Sequence, residues 1–184
     1  EEELEAIESF YKENTSAPLL MVGYNRRFSK IAKEIKTHTD ARINPLLIRY
    51  RMNAGYLKNE HWVFSEGGRI VGEACHIIDL MQYIVGNRIT EVSSSEISPN
   101  TDHYKAEDNK TITLKFNDGS MASIDYFSSG SNKISKEFME IHFDGKSMIM
   151  DDYKTLCFHG IKASDINHKL IFLIRQIIQL SLSR

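Results

Sequence analysis

The apolar positions of the chain follow helical spacing in three segments. Residues 2–14 form the first helical pattern, and Ser29 precedes the second, IAKEIKTH, as an N-cap residue. Residues 68–85 predict a third helix, because their apolar side chains fall on one face at about 100° per residue. That face comprises Ile70, Val71, Ala74, Ile77, Ile78, Met81 and Val85.

Other segments follow extended patterns. The nearly continuous apolar run LLMVGY at 19–24 predicts a strand buried on both faces, as in parallel sheets. PLLIRYRMN at 45–53 alternates like a half-buried strand, and alternating runs after residue 85 predict successive antiparallel strands. NDG at 117–119 and DG at 144–145 predict hairpin turns. KLIFLIRQIIQLSL near the end predicts a core-packed helix.

These patterns predict an α+β fold in which helices pack on one face of a large, mostly antiparallel open sheet. The first helix and the strand at 19–24 read as the last helix and strand of a Rossmann-type domain. We therefore expect residues 1–27 to be a remnant of a dinucleotide-binding domain and residues 28–184 to be the α+β domain. No glycine-rich phosphate loop of the GxGxxG type is present.

Composition narrows the possible functions. A net charge of −2 does not favour nucleic-acid binding, and no apolar run approaches the ~20 residues of a membrane helix. Two cysteines do not make a disulfide framework, so a cytoplasmic location is expected. Cys157 and His159 share a strand face without a second ligand pair, so no metal site is predicted.

The face of the third helix opposite its apolar face collects groups that bind or move protons. It carries Arg69, Gly72, Glu73, His76, Asp79 and Tyr83. A solvated outer face is the simpler interpretation. Gly67, Gly68 and Gly72 favour a site, because glycine costs a helix roughly 0.5–1 kcal/mol relative to alanine and allows close approach to the backbone. Asp79 is expected to hold the helix to adjacent backbone.

Two further groups of residues are candidates for binding. Asn25, Arg26 and Arg27 follow the predicted strand at 19–24, where open α/β sheets place ligands; ordinary interdomain ion pairs are an equal alternative for the arginines.

The loop at 53–62 carries Asn53, Tyr56 and Trp62, which suit a sugar site of aromatic faces and amide donors. Trp62 could equally anchor this loop to the core.

VGYNRRFS at 22–29, PLLIRYRMNAGY and GGRIVGEACHIIDLMQYIVG together resemble the C-terminal part of the Gfo/Idh/MocA family of nicotinamide-dependent sugar and polyol oxidoreductases. The resemblance covers roughly residues 1–160. It implies an enzyme that uses NAD or NADP, bound mainly by a preceding domain, so that this chain alone would be inactive. GEACH resembles the branch associated with surface-polysaccharide and sugar-nucleotide pathways.

The resemblance also implies roles for individual residues. Family members carry a catalytic histidine in a D-x-x-x-H pattern, and His76 matches the histidine, whereas Gly72 stands at the aspartate position. His76 is the expected proton-transfer base, with Glu73 as the carboxylate that favours its protonated form. Arg26, Asn53, Tyr56 and Trp62 are expected to bind substrate, and Asn25 and Arg26 the cofactor.

Two alternatives concern the whole chain. Gly72 also fits a non-catalytic sugar-binding or assembly module that kept the fold and lost the chemistry. The outer face of the sheet keeps aromatic and methionine side chains, which are enriched at subunit contacts. We therefore expect a homodimer formed face to face through the sheet.

Overall fold

The computed structural model describes residues 2–58, 60–65 and 67–167. It contains three α-helices, α1 (Glu2–Glu13), α2 (Lys30–Asp40) and α3 (Cys75–Val85), and α3 continues from a π-helical turn at Ile70–Ala74. Ser29 caps α2 as predicted, since its Oγ accepts a hydrogen bond from the backbone N–H of Ala32 at 3.1 Å. The helix predicted at 169–182 lies outside the described residues.

Eight strands form one sheet in the order β2-β3-β4-β1-β5-β6-β7-β8. β1 pairs in parallel with β4, and every other neighbouring pair is antiparallel. The strands are β1 (Leu47–Asn53), β2 (Ile89–Glu96), β3 (Lys110–Phe116), β4 (Met121–Phe127), β5 (Glu137–Phe143), β6 (Lys146–Asp151), β7 (Thr155–His159) and β8 (Ile166–Asn167).

Tight turns join β3 to β4 and β5 to β6 at the two predicted positions. Gly119 adopts a φ of 86°, and Asp144 and Gly145 have φ angles of 48° and 71°. Positive φ at both Asp144 and Gly145 is the geometry that suits the twist of a two-residue hairpin, whereas in the longer turn between β3 and β4 only Gly119 has a positive φ. The Asp-Gly signals in the sequence therefore set the strand register here.

The core lies between one face of the sheet and helices α2 and α3. Ile48, Tyr50 and Met52 of β1 are buried, as their alternation predicts, and they belong to one cluster with Ile35 of α2 and Ile77 of α3. Helices on one face of a mostly antiparallel open sheet are the predicted α+β class, which is confirmed. Among the described residues, no helix has the length and apolarity to cross a membrane.

Residues 19–24 do not form the predicted strand. The segment has no regular secondary structure, and its side chains are open to solvent, with Leu19 94% exposed. A strand buried on both faces lies inside a sheet with neighbours to bond, and none of the described strands pairs with this segment.

Val71 also departs from its expected place on the core face of the third helix and is 63% exposed. The π-helical turn shifts the periodicity at Ile70–Ala74, so a regular α-helical projection fails at this residue.

The outer face of the sheet mixes apolar and charged side chains. Register places Leu47, Arg49 and Arg51 of β1 on this face, opposite their buried neighbours. Its further apolar members are Met121, Phe127, Phe138, Ile149 and Cys157. The methionines expected in the last strands are not among them, because Met139, Met148 and Met150 are buried on the helix-covered face.

Candidate functional site

His76 lies in the first turn of α3, where the helix meets the segment before α2. The edge of its ring packs against Tyr24, with ring centroids 5.5 Å apart and planes at 89°. Nδ1 is buried and has no hydrogen-bond partner among the described residues. A buried polar atom without a partner is uncommon in a folded protein and marks this ring as a candidate for ligand contact.

The glycine pair before α3 serves the backbone. Gly67 and Gly68 have φ angles of 88° and 79°, which residues with a Cβ rarely adopt. A Cβ at Gly72 would lie 3.3 Å from Cγ2 of Val63, so the chain's own loop is what approaches the backbone at Gly72. The π-helical turn that follows is a feature often found at functional sites.

Glu73 belongs to a network with Arg69 and Tyr126. Its Oε2 accepts hydrogen bonds from Nε and Nη2 of Arg69, at 3.2 and 2.9 Å, and from the Tyr126 hydroxyl. Burial alone would raise the pKa of Glu73, but the Tyr126 hydrogen bond and the Arg69 charge outweigh it and hold this pKa below its usual value. The direct Glu73–His76 pair expected from the sequence is not formed, and the hydrogen bonds from Arg69 and Tyr126 hold Oε2 instead.

Arg26 is bound by a carboxylate within the chain. Its Nε and Nη2 donate to the two oxygens of Glu137, both at 2.9 Å, and the Tyr50 hydroxyl donates to the same carboxylate. Burial alone would lower the pKa of Arg26, but the bond to Glu137 outweighs it, so this pKa lies above its usual value. The structure thus gives Arg26 the ion-pair role that the sequence left open, with Glu137 of β5.

Asn25 lies beside this pair on a small cavity. The cavity has a volume of about 330 Å³ and is lined by Asn25, Arg26, Ser29, Glu137 and Tyr153. Among the described residues, the Asn25 amide has no hydrogen-bond partner. Asn25 is exposed, so its amide is open to solvent or to a ligand beside the charged pair.

Asp79 binds a side chain instead of the backbone that was expected. Its Oδ2 accepts from Nε of Arg27 at 2.8 Å, and its Oδ1 accepts from Nη2 of the same residue. Arg27 also lies over the Tyr83 ring, 5.3 Å from its centroid. This bidentate pair fixes α3 to the 3₁₀ turn at Asn25–Phe28 and so holds Tyr24 against His76.

The three substrate candidates on the loop after β1 differ in exposure. Asn53 is buried, and its Nδ2 donates to the carbonyl of Ser131 at 2.8 Å while Oδ1 has no partner among the described residues. Tyr56 is exposed, and Trp62 is 68% exposed, so Trp62 does not anchor the loop to the core.

A second loop, residues 98–110, packs on the loop after β1. It was not predicted from the sequence to be part of the site. The ring of His103 stacks on Tyr56 at a centroid distance of 4.2 Å, and Nζ of Lys105 lies 3.6 Å from the centroid of the Phe64 ring. The sequence of 98–110 predicts only a polar loop. The neighbouring rings of His103 and Tyr104 were the signal that could have indicated a role in the site. These two contacts hold the loops together.

Both cysteines are free thiols, and Cys157 and His159 lie on β7. Within the part of the chain that the structure describes, no group of three or more His, Cys, Asp or Glu side chains could hold a metal ion.

Comparisons with known proteins agree on one kind of relative. A curated, uncharacterized oxidoreductase of Bacillus subtilis, YrbE, is 33% identical over 111 residues, which are 58% of this chain and 33% of the relative. Among solved structures, the UDP-N-acetylglucosamine 3-dehydrogenase GnnA of Acidithiobacillus ferrooxidans matches with a TM-score of 0.67 at 17% identity, over 90% of this chain and 51% of that one.

Two further solved structures have the same fold. An oxidoreductase from Agrobacterium radiobacter in complex with NAD+, L-tartaric acid and magnesium matches with a TM-score of 0.66 at 18% identity, over 90% of this chain and 51% of that one. A levoglucosan dehydrogenase in complex with NADH and levoglucosan gives 0.63 at 18% identity, over 89% and 51%.

This chain thus spans a third of the curated relative and about half of the matched structures. The sequence profile of the GFO/IDH/MocA C-terminal domain matches residues 44–148, more than half of the chain. The chain therefore belongs to the GFO/IDH/MocA family and contains its C-terminal domain.

Proposed function

We propose that this chain is the substrate-binding and catalytic domain of an NAD(P)-dependent oxidoreductase that acts on a sugar, sugar nucleotide or polyol, with His76 as the proton-transfer base. The observation that carries the proposal is the His76 ring, whose Nδ1 is buried without a partner among the described residues. Membership of the family supports the reaction class.

For this reaction the domain must supply a base and a binding site for the reactants. Oxidation of a carbinol to a ketone removes a hydride from carbon and a proton from the hydroxyl. When bound, NAD or NADP supplies the hydride acceptor. His76 takes the hydroxyl proton at a ring nitrogen, because imidazole is the side chain whose ordinary pKa suits proton transfer in water near neutral pH.

The residues around His76 position the reactants. Tyr24 packs on the imidazole and fixes its orientation, and Arg27 with Asp79 holds the helix against the segment that carries Tyr24. The Asn25 amide would bind the nicotinamide carboxamide, and Arg26, paired with Glu137, lines the same cavity.

A carbohydrate substrate is supported by the loop after β1. Tyr56 and Trp62 present exposed aromatic faces of the kind that stack on sugar rings, and Asn53 lies at the end of β1. The names of two matched structures, a UDP-N-acetylglucosamine 3-dehydrogenase and a levoglucosan dehydrogenase, agree with this class. A role in sugar-nucleotide or polysaccharide biosynthesis is part of this proposal, and the sugar-nucleotide substrate in the first name is what favours it.

A second candidate is a non-catalytic sugar-binding or assembly module. It is favoured by Gly72 at the expected aspartate position and by Glu73, whose carboxylate is bound to Arg69 and Tyr126. Neither residue hydrogen-bonds His76, so the base would act without a carboxylate partner from this helix.

The proposal also covers the oligomeric state of the protein and its location in the cell. We propose that two copies pair through the outer face of the sheet, where Met121, Phe127, Phe138 and Ile149 lie among charged side chains. Aromatic residues and methionine are enriched in such contacts. The two free thiols agree with a reducing cytoplasm.

One assay separates the enzyme from the module. The whole protein that contains this chain, with its preceding dinucleotide domain, is incubated with NAD or NADP and a panel of neutral sugars, polyols and sugar nucleotides. We expect cofactor reduction with at least one member, and none with residues 1–184 alone. Sugar binding without cofactor reduction by the whole protein would favour the module.

A further inference from the structure

The two carboxylate oxygens of Glu73 differ in the hydrogen bonds that they accept. Oε2 accepts three hydrogen bonds, two from Arg69 and one from Tyr126. Oε1 accepts none within the described residues, and Nζ of Lys136 lies 3.8 Å from it. One oxygen of the carboxylate is therefore fixed by the protein, and the other is left with free acceptor capacity.

The rest of the network holds this carboxylate in place. Arg69 is 2% exposed and donates to the carbonyls of Ala54 and Gly55, at 3.0 and 2.6 Å, just beyond β1. The pKa of Glu73 lies below its usual value despite burial, because Tyr126 and Arg69 favour the charged form. Oε1 is therefore a negatively charged acceptor with a fixed position.

Lys136 brings an ammonium group to the same place. It precedes β5, and its carbonyl accepts the backbone N–H of Asn53 at 2.7 Å, which fixes its backbone. Its side chain is 50% exposed. A separation of 3.8 Å is too long for a hydrogen bond, so the ammonium keeps its donors for another group.

We propose that Glu73 Oε1 and Lys136 Nζ together bind one hydroxyl group of the substrate. A hydroxyl can donate to Oε1 and accept from Nζ at the same time, whereas a keto or ether oxygen cannot donate. Both bonds involve an ionised partner and are therefore the stronger kind. This inference rests on the proposed function and adds a substrate-binding residue, Lys136, to it.

The position of the pair defines the substrate class more narrowly. Glu73 lies in the π-helical turn that leads into α3, and His76 follows it by three residues in the same helical segment, a rise of only about 4–5 Å along the axis. The hydroxyl held by the pair therefore belongs to a carbon close to the one that is oxidised. Sugars and cyclitols with neighbouring hydroxyls meet this requirement, and simple secondary alcohols do not.

Substitution of Lys136 tests the proposal without threatening the fold, because an exposed ion pair contributes little to stability. Lys136→Met keeps most of the aliphatic stem, and Lys136→Arg restores a donor. Lys133→Met is the matched control, since Lys133 is an exposed lysine in the same loop. The measurements are kcat and KM of the whole enzyme for its best sugar and for the analogue that lacks the neighbouring hydroxyl.

We expect Lys136→Met to raise KM for the sugar about tenfold or more, with a smaller change in kcat, and Lys136→Arg to recover part of this loss. The deoxy analogue should be a poor substrate of the wild type and no poorer for Lys136→Met. Lys133→Met should behave as the wild type. Equal KM values for Lys136→Met and Lys133→Met with the sugar would overturn the proposal.

A second measurement separates this proposal from the proposed function. If the wild-type protein oxidises no sugar, the proposed function fails, and sugar binding is then followed through the fluorescence of Trp62, the single tryptophan of the chain. Weaker binding by Lys136→Met than by Lys133→Met would keep the hydroxyl-binding pair. Equal binding by the two variants, or no binding by either, would reject it.

Discussion

Arg69 donates from both Nε and Nη2 to a single oxygen of Glu73, at 3.2 and 2.9 Å. The same guanidinium holds the carbonyls of Ala54 and Gly55, so it joins the start of the third helix to the end of β1. Two parts of the candidate site, the helix with His76 and the loop with Tyr56, are thereby fixed to each other through one buried arginine.

Glu73→Gln should lower stability at neutral pH and remove an acid dependence. The variant leaves the buried Arg69 charge without its carboxylate, which we expect to cost about 1–3 kcal/mol. Because the folded pKa of Glu73 is below the unfolded value of about 4.3, its stabilising effect is complete above that pH and is lost as pH falls through the folded pKa. Urea unfolding from pH 7 to pH 3 should show the two proteins converging.

The control for this series is Glu8→Gln, which removes an exposed ion pair with Lys12 in α1. Its stability should stay within about 0.5 kcal/mol of the wild type at every pH. A constant gap between wild type and Glu73→Gln down to pH 3 would contradict the role given to the Glu73 charge.

Asp108→Asn should stabilise the protein above neutral pH. Asp108 is 4% exposed, its Oδ1 has no partner among the described residues, and burial raises its pKa even though the nearby Arg69 charge acts against the rise. With the folded pKa above the unfolded one, stability falls as pH rises through the unfolded value, and the loss is complete above the folded pKa.

The near-isosteric amide cannot ionise, so we expect a gain of a few tenths to about 1 kcal/mol at pH 8 and a smaller difference at pH 4. The exposed Asp102, in the same loop, provides the control Asp102→Asn, which should change neither value. A lower urea midpoint for Asp108→Asn than for the wild type at pH 8 would show that the ionised Asp108 carboxylate does not destabilise the folded protein.

Gly130→Ala should destabilise the loop under the candidate substrate site. A Cβ at Gly130 would lie 2.4 Å from Oδ1 of Asn53 and 2.5 Å from Cε2 of Phe127, so one of them must move. We expect a loss of about 1–3 kcal/mol in thermal or urea unfolding. Gly23→Ala, where no atom lies within 4 Å of the added Cβ, should be close to neutral.

Removing the amide should relieve part of the clash, so Gly130→Ala combined with Asn53→Ala should cost less than the sum of the two single changes. Strict additivity would mean that the contact between these positions is not what limits the substitution.

The outer face of the sheet should form a dimer. Light scattering of residues 1–184 at micromolar concentration should give twice the monomer mass of 21.2 kDa. Ile149→Lys places a charge on that face, in β6, and should give the monomer with an unchanged circular dichroism spectrum. Val92→Lys, at an exposed position on the opposite face, is the control, and a monomeric wild type would refute the pairing.

Local patterns predicted most of this fold because each has a local physical cause. Alternation placed Ile48, Tyr50 and Met52 in the core, and the Asp-Gly turns set the hairpins. The apolar run at 19–24 predicted a buried strand that is not formed, since such a strand depends on neighbouring strands that a local pattern does not show. The π-helical turn at Ile70–Ala74 similarly escaped a projection that assumes a constant helical period.

The site was less predictable, because its contacts join residues far apart in the chain. His76 and the glycine pair stood out from spacing, but Arg69–Tyr126 and Arg26–Glu137 depend on strand register. A signal was available in Tyr50 and Tyr126, which sit at buried strand positions, since a buried tyrosine hydroxyl needs a partner. Each of them donates to a carboxylate, Glu137 and Glu73 respectively.

The most direct test of His76 as the proton-transfer base is the turnover of His76→Asn in the whole enzyme. Asparagine keeps a polar side chain of similar reach but cannot take the hydroxyl proton. With cofactor binding unchanged, we predict that kcat falls by about 10²–10⁴-fold. A His76→Asn enzyme with the kcat of the wild type would contradict the assignment of His76 as the base.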